Sequence, residues 1–202
     1  MTNTDGKEDL RIGVYICHCG SNIAGVIPPA DVAAYAAGLP GVVRATDTHY
    51  ACADSGQSLI KDDIKKYDLN RVVVSACSVR MHEPTFRAAV QEAGLNPFLM
   101  EMANIREQCT WAHGHDKAGA LEKVKDLTAA AIAKASFLTP LDMISVPVTK
   151  KAVVIGAGVA GISCALDLAE QGIKTILVEK QETIGGVMAQ LNKTFPTMDC
   201  SI

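Results

Sequence analysis

Aromatic residues are scarce: one Trp, four Tyr and four Phe make up only 4% of the 202 residues. A base-stacking nucleic-acid module needs more of them. The formal net charge is only -3, with both signs mixed along the chain, so there is no electrostatic footprint for nucleic acid or for an anionic membrane. No run approaches the roughly 18 apolar residues that a membrane span requires. Met1 to Asp9 is polar and lacks the apolar segment of a secretory signal, which makes a cytoplasmic protein the expectation. Internal repeats and low-complexity segments are also missing. So is any convincing acid–base or nucleophilic catalyst, and no catalytic residue is assigned.

What the chain does have is apolar material and thiols. Hydrophobic residues make up 49% of it, enough for buried cores. Seven cysteines in a reducing compartment point away from structural disulfides and toward metal ligation, redox chemistry or plain burial.

Residues 1–10 read as a solvated tail and 11–115 as an α/β domain bearing cysteines. Strand runs are expected at Ile12–Cys17, Val42–Thr48, Arg71–Ala76 and Pro97–Met102, with helices at Pro29–Leu39, Ser55–Tyr67 and Glu83–Ala93. This rhythm predicts a small, doubly wound parallel sheet of four strands. Residues 116–138 form a long amphipathic helix, with Leu121, Val124, Leu127, Ala131, Ile132 and Ala135 spaced by threes and fours. Residues 139–150, with Pro140 and Pro147, read as a linker. Residues 151–202 open a second domain.

That second domain starts with an apolar strand, Ala152–Ile155, running into Gly156-Ala157-Gly158-Val159-Ala160-Gly161. A helix follows, then a strand at Thr175–Val178 with Glu179 at its end. Gly156 permits the tight turn, Gly158 lets the backbone approach a pyrophosphate, and Gly161 lets helix and strand pack closely. The helix start offers free N–H groups to phosphate, and Glu179 stands where an acid accepts ribose hydroxyls. This is the first β-α-β of a Rossmann-type dinucleotide fold. Glu179-Lys180 followed by Ile184-Gly185-Gly186 favours FAD, as in flavoproteins of the glutathione- and thioredoxin-reductase kind; NAD is the alternative.

The cysteine spacing matches no compact ferredoxin or zinc-ribbon pattern. In a parallel α/β sheet, however, ligands gather at the carboxyl ends of strands. Cys17, Cys19, Cys52 and Cys77 all project toward that edge, and four soft thiolates there suit an iron–sulfur cluster, or zinc. Buried thiols acting as small apolar residues are the plain alternative. Cys164, inside the helix behind the glycine turn, is expected in a core. His18, His49, His82, His113 and His115 read as surface or capping residues, and Arg80, Arg87 and Arg106 as solvated charges.

Several longer segments resemble the A subunits of heterodisulfide reductases. They are Cys17-His18-Cys19-Gly20, Tyr50 to Gln57, Ser75-Ala76-Cys77-Ser78 with Arg80 to Phe86, Asn104 to Cys109, and Ile184 to Leu191 on through Phe195 to Cys200. The likeness covers nearly all of residues 11–202. It implies a cytosolic iron–sulfur flavoprotein with FAD in a thioredoxin-reductase-like domain and several [4Fe-4S] clusters. It also implies partners: other heterodisulfide-reductase-type subunits, with ferredoxin and a hydrogenase- or formate-dehydrogenase-linked donor. In methanogens such a complex reduces the CoM–CoB heterodisulfide while bifurcating electrons to ferredoxin. By the resemblance, Cys52, Cys77 and Cys109, with Cys17 or Cys19, are ligands; five candidates compete for four places. Cys200 is a further candidate, as a ligand or a redox-active thiol.

Relatives continue past the position of Ile202 with a further cysteine, which some encode as selenocysteine. The expectation is a reading frame closed at a UGA codon that is really read as selenocysteine. The alternatives are a true truncation, a gene fragment or a polypeptide split in two. The chain by itself is expected to bind FAD poorly and to have no turnover. Two other functions compete with the electron-transfer reading: a docking module with structural cysteines, and an NAD-dependent thiol oxidoreductase.

Overall fold

A computed structural model describes residues 9–200; most of the expected tail, residues 1–8, lies outside them. The chain divides into two compact units, Met1–Asp142 and Met143–Ile202.

The first unit is a doubly wound α/β layer. Four parallel strands, β1 (Ile12–Cys17), β2 (Val42–Thr48), β3 (Arg71–Ala76) and β4 (Met100–Asn104), lie in the order β2-β1-β3-β4. Five helices accompany them: α1 (Ser21–Ala24), α2 (Pro29–Ala37), α3 (Asp54–Lys66), α4 (Val79–Glu92) and α5 (Lys117–Ala135). Every residue of β1 and β3 is buried, as a central parallel strand covered on both faces must be.

Alternation along β1 sorts the two cores. Ile12, Val14 and Ile16 face α2 and α5, where Val32, Ala36, Val124 and Ile132 cover them. Tyr15 and Cys17 face the other side, against Ile60 and Ile64 of α3 and Phe86 and Val90 of α4. Each such large apolar side chain contributes about 1.5–3 kcal/mol on burial. The long helix read at 116–138 is thus part of the first unit. Arg71 holds its end by donating to the carbonyls of Ala135 (3.2 Å) and Leu138 (2.9 Å).

Pro97–Leu99 is a 3-10 turn capped by the Asn96 side chain, so β4 begins at Met100 rather than at Pro97. Helix α4 starts at Val79, four residues before Glu83, and carries Pro84 within it. Arg106–Thr110 forms one turn of π-helix directly after β4.

The second unit holds a parallel pair, β5 (Lys151–Ile155) and β6 (Lys174–Val178), joined by α6 (Val159–Glu170). Short antiparallel segments at Lys193–Thr194 and Asp199–Cys200 follow. No residue of α6 is buried, because a two-stranded sheet cannot cover the helix. Cys164, expected in a core, is therefore exposed in this unit.

Candidate functional site

The chain passes from β1 outward to β2, then crosses back to β3 on the other side of β1. Doubly wound sheets bind ligands at such a reversal, beyond the carboxyl ends of the two strands that flank it. Here those ends are Cys17, the last residue of β1, and Cys77, the residue after β3.

Beyond Cys17 the backbone turns left-handed at Cys19 (φ 47°) and at Gly20 (φ 57°). A non-glycine residue in that region marks local strain, which persists where its surroundings hold it. The Cys17 sulfur accepts backbone N–H groups from Cys19 (3.3 Å) and from Ala51 (3.4 Å). Ala51 can come this close because α3 tucks Gly56 under the Tyr50–Ala51 backbone, where an added Cβ would collide with backbone atoms. Cys52 follows on the same loop, its carbonyl fixed by the Gln57 side chain (2.7 Å).

The four thiols act on one another. Burial pushes the Cys17 thiol up, against the pull of its two N–H bonds, and Cys19 and Cys52 add to the rise. Burial pushes Cys77 up to about 11. Arg106 opposes this, while Cys19, Cys17 and Cys52 reinforce it.

Cys109 lies on the α5 side of the sheet. It sits in the π-helical turn, buried in the core against α2 and α5, and its thiol donates to the carbonyl of Ala120 (3.3 Å). Burial raises it too, with the Lys123 ammonium as the opposing influence. Cys17 and Cys77 thus stand at the ends of the two strands that flank the reversal, with Cys19 and Cys52 on the loops that follow, while Cys109 packs in the core on the α5 side.

Arg106, read from sequence as a solvated charge, is part of this group. Its side chain is 16% exposed, and Nη1 donates to the Cys19 sulfur at 3.0 Å. The sequence signal for it is its place just past a strand, on the same edge as the cysteines. Arg80 is exposed, as a solvated charge should be. Arg87 pairs with Glu83 and lies over the Phe98 ring. Beside the thiols, His18 Nε2 meets Asp47 Oδ2 at 2.6 Å, and its ring lies 4.6 Å from that of His49.

Among the described residues, no three His, Cys, Asp or Glu side chains stand close enough to hold a single metal ion. A four-iron cluster is larger than an ion and spreads its thiolates further apart. The donor set fits such a cluster: four thiols, two backbone N–H groups on sulfur, and a cation whose buried Nε has no partner.

The second site is the turn after β5. Gly156 takes φ 99°, a value that favours glycine, and its N–H donates to the Val178 carbonyl (2.7 Å). Helix α6 then starts with no side-chain cap, leaving the N–H groups of Val159, Ala160 and Gly161 open to a phosphate. Gly185 N–H bonds the Ala157 carbonyl (2.7 Å), and Gly158 bridges to Gly185. Gly156, Glu179, Lys180 and Gly186 line a cavity of about 410 Å³. Val159 and Gly185 line a neighbouring one of about 310 Å³. Cys200 is exposed in this unit.

A strand, an uncapped helix start, a glycine turn and an acid at the second strand define the opening of a Rossmann-type FAD fold. The family model for FAD-dependent oxidoreductases matches residues 151–189. Over nearly its whole length, the chain is homologous to heterodisulfide reductase A subunits. It is 61% identical over 196 residues to the second of the iron-sulfur A subunits of CoB–CoM heterodisulfide reductase in Methanopyrus kandleri, covering 97% of this chain and 30% of that protein. It is 59% identical to the A subunit of the H(2):CoB-CoM heterodisulfide,ferredoxin reductase of Methanothermobacter thermautotrophicus, covering 96% of this chain and 30% of that protein. It is 55% identical to a protein of Archaeoglobus profundus named as similar to heterodisulfide reductase A subunits, covering 96% and 28%. The chain therefore spans about 30% of the length of these relatives. No helix among the described residues is long and apolar enough to cross a membrane.

Proposed function

We propose that this chain supplies the cluster-bearing domain and the opening of the FAD domain of an oxidoreductase subunit of the heterodisulfide-reductase type. The observation that carries the reading is the placement of Cys17 and Cys77 at the ends of the strands flanking the switch point, with the N–H groups of Cys19 and Ala51 on the Cys17 sulfur and Arg106 on the Cys19 sulfur. Those thiols would hold a [4Fe-4S] cluster, while the glycine turn and Glu179 would hold the ADP half of FAD.

When bound, FAD exchanges electrons in pairs and a cluster exchanges them singly, which lets one protein join two kinds of carrier. The chain's own residues bind, orient and shield. The core of α3 and α4 keeps water from Cys17, and backbone N–H groups of Cys19 and Ala51 stabilise negative charge on its sulfur. The start of α6 sets its dipole toward a pyrophosphate.

In the whole protein, the names of the relatives support reduction of the CoB–CoM heterodisulfide or a related disulfide. Two electrons and two protons cleave the S–S bond to give two thiols. Ferredoxin and an H2- or F420H2-linked donor are the partners named for relatives. Flavin-based bifurcation belongs to the same proposal, as does a cytoplasmic location.

Anaerobic purification of the chain, with iron and acid-labile sulfide analysis, tests the reading. About four of each per chain is expected. An iron-free chain whose Cys17→Ser and Cys77→Ser variants fold normally would leave the first unit as a docking module.

A further inference from the structure

We propose that Arg106 is the charge-compensating, positioning residue of the thiol site, a guanidinium locked by Glu107 and Trp111 and aimed at Cys19. The inference rests on the cluster reading above and adds the group that sets its potential.

Three contacts fix the guanidinium. Nη2 pairs with Glu107 Oε1 at 2.7 Å, Nη1 donates to the Cys19 sulfur at 3.0 Å, and the plane lies 4.5 Å over the Trp111 ring. Trp111 is itself tied back to the same loop, its Nε1 donating to Asn22 Oδ1 (3.2 Å) while the Asn22 amide donates to the Cys19 carbonyl (3.0 Å). An arginine held in its plane by a carboxylate and on its face by an indole loses most of its rotational freedom before any ligand arrives. The π-helical turn makes this possible, since it begins at Arg106 at the end of β4 and returns Trp111 N–H to the Arg106 carbonyl (2.9 Å).

Among the described residues, two polar atoms here are buried without a partner, Arg106 Nε and Glu107 Oε2. A buried guanidinium N–H with no acceptor is costly, and most such groups in folded proteins are satisfied. Glu107 takes one edge of the guanidinium, and the other edge reaches the Cys19 sulfur. An anionic group seated at the cysteines would add a second negative charge on the side of the guanidinium that Glu107 does not cover.

The electrostatic consequence has a sign. Taking up one electron makes a thiolate-bound cluster more negative by one charge. A fixed cation nearby favours that reduced state, and a fixed anion disfavours it. Arg106 therefore raises the reduction potential of the site, and Glu107 partly offsets it. Arg106→Gln lowers the midpoint potential, Arg106→Lys restores most of the loss because the charge returns without the planar fork, and Glu107→Gln moves the potential the opposite way, upward.

The test uses the 202-residue chain, reconstituted anaerobically with iron and sulfide. Iron and sulfide content are read first, then the midpoint potential by an EPR-monitored redox titration. Shifts of opposite sign for Arg106→Gln and Glu107→Gln, at unchanged iron content, support the proposal. A loaded wild type whose potential is moved by neither variant overturns it and leaves the cluster reading intact. A wild type that takes up no iron overturns both. Should Arg106→Gln fail to load, Glu107→Gln decides, and no upward shift there counts against the role.

Discussion

The Ala157 backbone N–H donates to Glu179 Oε2 at 2.6 Å, so the acid at the end of β6 already braces the glycine turn it faces. Its other oxygen accepts from Gln181 N–H (3.0 Å). These N–H bonds, Ala157's first, hold the Glu179 carboxyl below the usual range. A group with a depressed value contributes order above the ordinary glutamate value of about 4.3, and that contribution is lost as pH falls through the lower folded value. The Ala157 amide resonance is expected to titrate below about pH 4 and not at neutral pH. Each carboxylate oxygen has a second lone pair for a ribose hydroxyl. Glu179→Gln is therefore expected to weaken ADP binding by about tenfold, measured by calorimetry.

The glycines of the turn separate folding from ligand approach. A Cβ at Gly158 meets nothing within 4 Å, and its backbone (φ -76°, ψ -179°) accepts any residue. A Cβ at Gly161 collides with the Gly156 carbonyl oxygen, which is backbone and cannot step aside. Gly158→Ala is expected to keep the amide-exchange protection of Ile162 N–H, which bonds the Gly158 carbonyl, while abolishing ADP binding. Gly161→Ala is expected to lose both, at a cost of about 1–3 kcal/mol in local stability. Equal ADP affinity in Gly158→Ala and wild type would place the pyrophosphate elsewhere.

These residues also show what was legible in the sequence. The valines of β3, the strand ahead of Gly156 and the acid after β6 announce themselves through periodicity and spacing, because each role depends on neighbours in sequence. The four-strand sheet followed from the same local signals. The surroundings of each thiol did not, since they depend on which face a turn presents. A π-helical turn, invisible to periodicity, sends Cys109 into the core on the α5 side. The same turn converts Arg106 from an ordinary surface charge into a neighbour of Cys19. Cys164 is exposed because the two strands of this unit leave α6 uncovered.

Buried thiols give the metal-free chain a pH dependence. Burial raises Cys17, Cys109 and Cys77, the last to about 11, and it raises Tyr15 together with the nearby Asp63 carboxylate. A raised value means the folded state keeps the neutral form. That contribution is complete below the unfolded cysteine value of about 8.5 and is lost as pH climbs toward the folded value. The urea midpoint of the reduced, iron-free chain is expected to fall from about pH 8.5 upward, by an amount worth about 1–2 kcal/mol once solvent screening at the sheet edge is allowed for. A midpoint that rises over that interval would contradict the assignment. Bound metal reverses the preference, because the thiolate is the ligand, and loading should release protons.

The sharpest division concerns Cys109. Its thiol is spent on the Ala120 carbonyl inside the core of α2 and α5, whereas Cys17 faces the opposite side of the sheet and Cys77 follows β3 at the switch point. Cys109→Ala removes one sulfur from a packed interior and is expected to cost about 1 kcal/mol in urea unfolding, with iron content unchanged. Cys17→Ser, Cys52→Ser and Cys77→Ser are expected to cut iron and sulfide to background while the fold survives. Circular dichroism distinguishes that loss from unfolding. Should Cys109→Ala lose its iron while Cys52→Ser retains it, the thiols gathered between β1 and β3 are not the ligand set. The sheet would then have to hold its cluster through the π-helical turn rather than through the reversal between β1 and β3.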